Sequence, residues 1–170
     1  MSTSKISGPG AEAEAHKEAA AAAWLTLYQL FFEGAGQRRF HEASDASGLA
    51  PGVMKTLLQL APGKPLTMRD LAGIFRCDPS YVTTLVDGLE QAGLAERQLD
   101  PSDRRVRVVA ITRRGLEAQT AVRKILFEPP ESLAALTTNE LHELRALLEK
   151  LLADSQQEAE TLQKREPGKL

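Results

Sequence analysis

Residues 94–112, LAERQLDPSDRRVRVVAIT, decide how this 170-residue chain is to be read. Two runs of strand-like composition, Ala95–Leu99 and Val106–Ala110, flank the segment Asp100–Arg105. That segment carries Asp, Pro and Ser, which fix φ or hydrogen-bond their own backbone, so the spacing predicts a hairpin with an arginine-bearing tip. Two helical patterns joined by a tight connection lie directly upstream. The first, Thr67–Phe75, opens with Thr67 and Asp70 at the spacing of a reciprocal N-terminal cap, and its apolar face is Leu71, Ile74 and Phe75. The second, Pro79–Ala92, has Asp78 to cap it and Pro79 in its first turn. Val82, Leu85, Val86 and Leu89 form its buried stripe, and Gly93 ends it in a position suited to left-handed backbone.

Helix, helix, basic hairpin is the order of a winged helix-turn-helix. In that arrangement a helix enters the major groove of DNA, and a basic wing reaches the minor groove or the phosphates. The buried stripe of Pro79–Ala92 fixes its outward face as Ser80, Tyr81, Thr83, Thr84 and Asp87. Hydroxyls there suit phosphates and base edges, and a threonine methyl suits the thymine methyl. Along the hairpin, Arg105 and Arg107 share a face, and Asp103 is placed to hold the Arg105 guanidinium. The expected DNA contacts are therefore Ser80, Tyr81, Thr83, Thr84, Arg97, Arg104, Arg105 and Arg107, with Arg105 entering a narrow minor groove.

Charge is distributed to match. The chain as a whole carries −2, with 21 Lys and Arg against 23 Asp and Glu. Between Arg97 and Arg114, however, six arginines face two acids, a local excess of +4 that leaves −6 for the remainder. Positive potential is thus gathered on one lobe, where phosphate attraction operates.

Outward from this module the organisation is helical. Residues 1–10 are rich in Ser, Gly and Pro and are expected to be disordered. Residues 11–46 are expected to hold N-terminal dimerization helices. Ala11–Glu33 carries a stripe of Trp24, Leu27, Tyr28 and Phe31, and Arg38–Ala46 is short and polar. Residues 47–112 form the winged domain, beginning with a helix over Pro51–Leu60. Residues 113–157 form C-terminal dimerization helices. One is capped by Thr112 and broken at Glu128–Glu131; the other opens with the Thr137–Glu140 box and carries a leucine seam from Leu141 to Leu152. Residues 158–170 are a flexible tail. The fold class is mainly α with a small β-hairpin wing. First and last helices this apolar predict a homodimer, against the alternative of an intramolecular bundle.

Other chemistries lack their residues. The single cysteine, Cys77, permits neither an intrachain disulfide nor a CxxC pair, which fits a reducing cytoplasm. Cys77 precedes a helix N-terminus, where a thiolate is favoured, although a free cysteine commonly serves as a small apolar residue. His16, His41 and His142 have no metal-ligand spacing, so no metal is expected. No phosphate loop, nucleophile elbow or apolar membrane span occurs, and neither an enzyme, a cofactor nor a membrane partner is expected.

The stretch 71–112, LAGIFRCDPSYVTTLVDGLEQAGLAERQLDPSDRRVRVVAIT, resembles the core of the multiple-antibiotic-resistance regulator (MarR) family. The matching marks are Leu71–Ala72, VTxLVDxLE at Val82–Glu90, Gly93–Leu94, DPxDRR at Asp100–Arg105 and T-x-x-G at Thr112–Gly115. The resemblance implies a homodimeric transcription regulator, usually a repressor on palindromic double-stranded DNA. It also implies a small-molecule effector bound between the dimerization helices and the DNA-binding lobe. Arg105 matches the family's wing arginine, while Thr84 and Gly88 stand where many members carry arginine. Candidate effector contacts are Trp24, Tyr28, Phe31, Phe32, His41 and Asp70. Trp24, Asp70 and Arg105 match in part a urate-responsive subgroup, but Leu116 replaces its second arginine. The alternative function is a family member with decayed DNA contacts, acting as a protein-interaction or small-molecule-binding module.

Overall fold

A computed structural model describes residues 9–100 and 103–165. Helix α1 spans Pro9–Tyr28 and runs into a π-helical turn at Gln29–Glu33. Then come α2 (Ala35–Ser47), α3 (Pro51–Gln59), β1 (Leu66–Thr67), α4 (Met68–Phe75) and α5 (Pro79–Gln91). The wing strands β2 (Ala95–Leu99) and β3 (Arg107–Ile111) follow, then α6 (Arg113–Phe127), a 3₁₀ turn at Glu131–Ala135 and α7 (Thr138–Arg165). The result is mainly helical with one small antiparallel sheet of order β1-β3-β2.

Local chemistry sets most element boundaries. Thr67 and Asp70 form the reciprocal cap: the Asp70 N–H donates to Thr67 Oγ1 at 3.0 Å, and the Thr67 N–H donates to Asp70 Oδ2 at 2.8 Å. Thr137 and Glu140 do the same for α7. Gly93 closes α5 with φ 70°, which a side chain rarely adopts. Thr112 caps α6 by accepting from the Gly115 N–H, and its hydroxyl donates to the Gly93 carbonyl. Gly115 itself is required by proximity, because a Cβ there would lie 2.0 Å from the Leu94 carbonyl oxygen.

Several boundaries differ from expectation. The helix expected as one piece over Ala11–Glu33 changes pitch after Tyr28, and α1 already includes Pro9 and Gly10. Of the expected disordered segment, residues 1–8 lie outside the described residues. Helix α7 continues to Arg165, past residue 158 where a tail was expected; residues 166–170 lie outside the described residues. Pro101 and Ser102 of the wing turn also lie outside them. Strand β1 was not anticipated, since two residues carry no periodicity. It pairs Leu66 with Val109 and Thr67 with Val108, which makes β3 the central strand. Val108 and Val109 are accordingly both buried, and the alternation expected of a two-stranded wing is lost.

The core gathers Ala43 of α2, Met54 and Leu57 of α3, Leu71 of α4, Val82, Val86 and Leu89 of α5, Val109 of β3 and Val122 of α6. Ile74, expected on the apolar face of α4, is 48% exposed instead. Gln119 of α6 is buried and donates to the carbonyls of Leu57 and Leu60 at 2.7 and 2.8 Å, at the end of α3 where intrahelical donors run out. The outer helices are different. Trp24, Leu25, Phe31 and Phe32 of the N-terminal arm and Leu147, Leu151 and Leu152 of α7 are all exposed. Among the described residues, α1 and α7 do not pack on each other as an intramolecular bundle. Among the described residues no helix is long and apolar enough to cross a membrane.

Candidate nucleic-acid interface

Helix α5 is positioned by its cap and its stripe. The Asp78 carboxylate accepts the Ser80 N–H at 2.7 Å, and hydrogen bonds from the Ser80 side chain and backbone hold it below the usual carboxylate range. Val82, Leu85, Val86 and Leu89 are buried as expected. That leaves Ser80, Tyr81, Thr83 and Thr84 on the exposed side. The Thr83 and Thr84 hydroxyls donate back to the carbonyls of Pro79 and Ser80 at 3.1 and 3.5 Å.

Two positions on α5 have roles that only the packing discloses. Tyr81 is 52% exposed, yet its hydroxyl rests over α3: a Cβ added at Gly52 would come within 2.9 Å of it. The exposed tyrosine thus has a partner inside its own chain. Gly88 faces α3 as well, and a Cβ there would meet Val53 Cγ2 at 2.9 Å. The lack of arginine at position 88 therefore removes nothing from the outward face, because 88 belongs to the α3–α5 contact.

The wing is tied to α5 by Arg97 on β2. Its guanidinium bonds Asp87 Oδ1 at 2.7 Å, Glu90 and the Thr83 carbonyl, while its backbone N–H donates to Glu90 Oε1 at 2.8 Å. An expected DNA contact is thus engaged as the brace between recognition helix and wing. At the tip, Asp103 does not hold the Arg105 guanidinium as expected. Its carboxylate accepts the Arg105 backbone N–H at 2.9 Å and shapes the turn instead. The side chains of Arg104, Arg105 and Arg107 are exposed and make no ion pair among the described residues. An open depression of about 370 Å³ lies between α5 and the wing, lined by Met68, Thr83, Asp87, Arg97, Arg107 and Val108 among others.

None of the expected effector contacts lines that depression. Trp24, Tyr28 and Phe31 stand exposed on the N-terminal arm, where Tyr28 stacks on Phe32 with ring centroids 5.0 Å apart. His41 Nδ1 is 2.9 Å from the Gln37 carbonyl oxygen on its own helix. The Asp70 carboxylate is occupied by the Thr67 cap. Cys77 is partly buried against the core. Among the described residues no group of His, Cys, Asp and Glu is arranged to hold a metal.

Comparison with known proteins agrees with this geometry. Residues 51–106 match the model of the MarR family. An uncharacterized HTH-type transcriptional regulator of Bacillus subtilis, YcgE, is 39% identical over 106 residues, a stretch that spans 61% of this chain and 66% of YcgE. The crystal structure of YusO from Bacillus subtilis superposes with a TM-score of 0.61 at 26% identity, covering 81% of this chain and 96% of YusO. CouR from Rhodococcus jostii RHA1, solved with p-coumaroyl-CoA, superposes with a TM-score of 0.51 at 27% identity over 66% of this chain and 80% of CouR. With the helix-turn-helix, the three-stranded wing sheet and these matches together, the chain belongs to the MarR family.

Proposed function

We propose that this chain is a transcription regulator, not an enzyme, that binds palindromic double-stranded DNA as a homodimer and represses a gene near its own. The observation that carries this reading is the division of the molecule into a packed lobe with a basic wing and two arms whose large apolar side chains stand exposed. Two copies joined along α1 and α7 cover the exposed Trp, Phe and Leu side chains. A two-fold axis then presents two α5 helices about one helical turn of DNA, roughly 34–36 Å, or a multiple of it, apart. Ser80, Thr83 and Thr84 face the major groove, Arg105 enters the flanking minor groove, and Arg104 and Arg107 sit over phosphates. Arg97 acts through the wing's orientation, since Asp87 and Glu90 already hold it.

A small-molecule effector fits the same architecture. A ligand wedged between arms and lobe alters the separation of the two α5 helices and hence the match to the two half-sites. CouR, which shares the fold, was solved with an acyl-CoA ligand. For this chain the aromatic arm around Trp24, Tyr28 and Phe31 is the surface offered to such a molecule or to the second subunit.

The test is fluorescence anisotropy on DNA upstream of the chain's own gene and on scrambled DNA, across a salt series, with Arg105→Ala alongside. Saturable binding about 10³-fold tighter than to scrambled DNA, weakening steeply with salt and further in the variant, is the expected result. Equal weak binding to both duplexes, with no site recovered by genome-wide selection, would leave the protein-interaction reading in its place.

A further inference from the structure

Helix α4 carries three residues that its own structure does not favour. Arg69 sits in the first turn, where the positive end of the helix dipole disfavours a cation. Gly73 lies mid-helix, where glycine is among the poorest residues, and an added Cβ would meet nothing within 4 Å. Arg76 closes the helix with φ 48° and ψ 48°, the left-handed conformation that normally selects glycine. It is the one non-glycine residue with positive φ among the described residues.

These positions are spaced i, i+4 and i+7, so they follow one line along the helix. All three are exposed. Neither arginine makes an ion pair or a side-chain hydrogen bond among the described residues. The neighbouring acid, Asp70, is turned to the Thr67 backbone and hydroxyl. Among the described residues nothing therefore offsets the cation at the start of α4, pairs the Arg76 guanidinium at its end or fills the space over Gly73. The left-handed backbone at 76 is set by the end of α4, where the Arg76 and Cys77 N–H groups donate to the Gly73 and Ala72 carbonyls; it is the arginine held there in place of the favoured glycine that points outward to a partner.

From this face we infer that α4 crosses the DNA phosphate backbone, with Arg69 and Arg76 straddling it on phosphates and Gly73 admitting its closest approach. The inference deepens the DNA-binding reading above and rests on it. Helix α4 immediately precedes α5, and in a helix-turn-helix the first helix crosses the backbone while the second enters the groove. The residues contact phosphate and not bases, so they add affinity on any sequence.

The experiment measures anisotropy of the full chain on a short duplex of arbitrary sequence and on a duplex selected by the wild type from a random pool. Arg76→Gly and Arg69→Gln are compared with Arg145→Gln on α7, which removes a charge elsewhere. Each α4 variant is expected to weaken both duplexes about tenfold and to lower the salt slope by about 0.9, one phosphate's worth. Arg145→Gln leaves the slope unchanged. In thermal melts Arg76→Gly is expected to keep or raise Tm, because glycine relieves the left-handed residue. Gly73→Leu is expected to keep its Tm and lose affinity. Wild-type affinity and slope in both arginine variants would overturn the inference, as would a fall in Tm of Arg76→Gly large enough to account for its loss of binding. Absence of binding by the wild type itself would instead remove the DNA-binding reading, and this inference with it.

Discussion

The lobe and the arms of this molecule are built from the same kinds of residue and end in opposite environments. In the lobe, Leu57, Leu71, Val86 and Leu89 are fully buried. In the arms, Trp24 is 69% exposed, Phe32 63% and Leu152 58%. Large exposed apolar patches mark places where another surface belongs. The difference teaches that the lobe is stabilised by its own packing, whereas the arms depend on what covers them. Stability and assembly are therefore separable by mutation.

The sharpest way to break the comparison is a pair of truncations. Leu89→Ala in the lobe is expected to lower unfolding free energy by about 2–5 kcal/mol in urea titrations, because the surrounding helices and strands cannot collapse into the space. Trp24→Ala in the arm of the same full chain should leave the unfolding free energy of the lobe unchanged. An equal effect of both would show that α1 is packed within one chain. Next in size, Leu151→Glu combined with Leu152→Glu places charges on the arm's apolar surface. Sedimentation is expected to shift from twice 18.5 kDa to 18.5 kDa, with specific DNA binding lost and the lobe's fold retained by circular dichroism. A dimer that survives would move the interface off α7.

A smaller effect sharpens the boundary between packing and recognition on α5. Gly88→Arg is expected to destabilise the lobe by about 1–3 kcal/mol through overpacking against Val53, without improving DNA affinity. Tighter DNA binding with unchanged Tm would put position 88 on the outward face. The smallest effect is in acid, where each region carries one capping carboxylate held low by its partner: Asp78 by Ser80 in the lobe, Glu140 by Thr137 at the start of α7. A depressed carboxylate stabilises fully above its unfolded value of about 4 and loses that contribution as pH falls through the lower folded value. Amide exchange at Ser80 and Thr137, whose N–H groups the two carboxylates accept, should thus be unaffected between about pH 7 and 5 and lose protection only in stronger acid. Loss of protection already near neutrality would remove the caps as the cause.

Much of the fold was legible because its signals are local. The capping boxes at Thr67 and Thr137, the Asp78 and Thr112 caps and Gly93 act over three or four residues, and each is found where its spacing places it. The stripe of α5 likewise identified both the buried side and the exposed Ser80, Tyr81, Thr83 and Thr84. What was not legible depends on residues distant in sequence. Strand β1 exists because β3 offers it an edge more than 40 residues on. The engagement of Arg97 required knowing that β2 returns beside α5, within reach of Asp87 and Glu90.

The amino-acid sequence by itself determined the order of the main helices and the two wing strands, the helix ends that carry caps, the basic wing and the face of α5 turned outward, since these follow from hydrogen bonds and periodicities within a few residues. Tertiary structure alone decided that Tyr81 and Gly88 lean on α3, that Arg97 braces the wing, and that Arg69, Gly73 and Arg76 are exposed. It also left the aromatic and leucine faces of the arms open. Such outcomes depend on which remote surfaces meet, and burial and pairing are properties of that meeting and not of the residues taken singly.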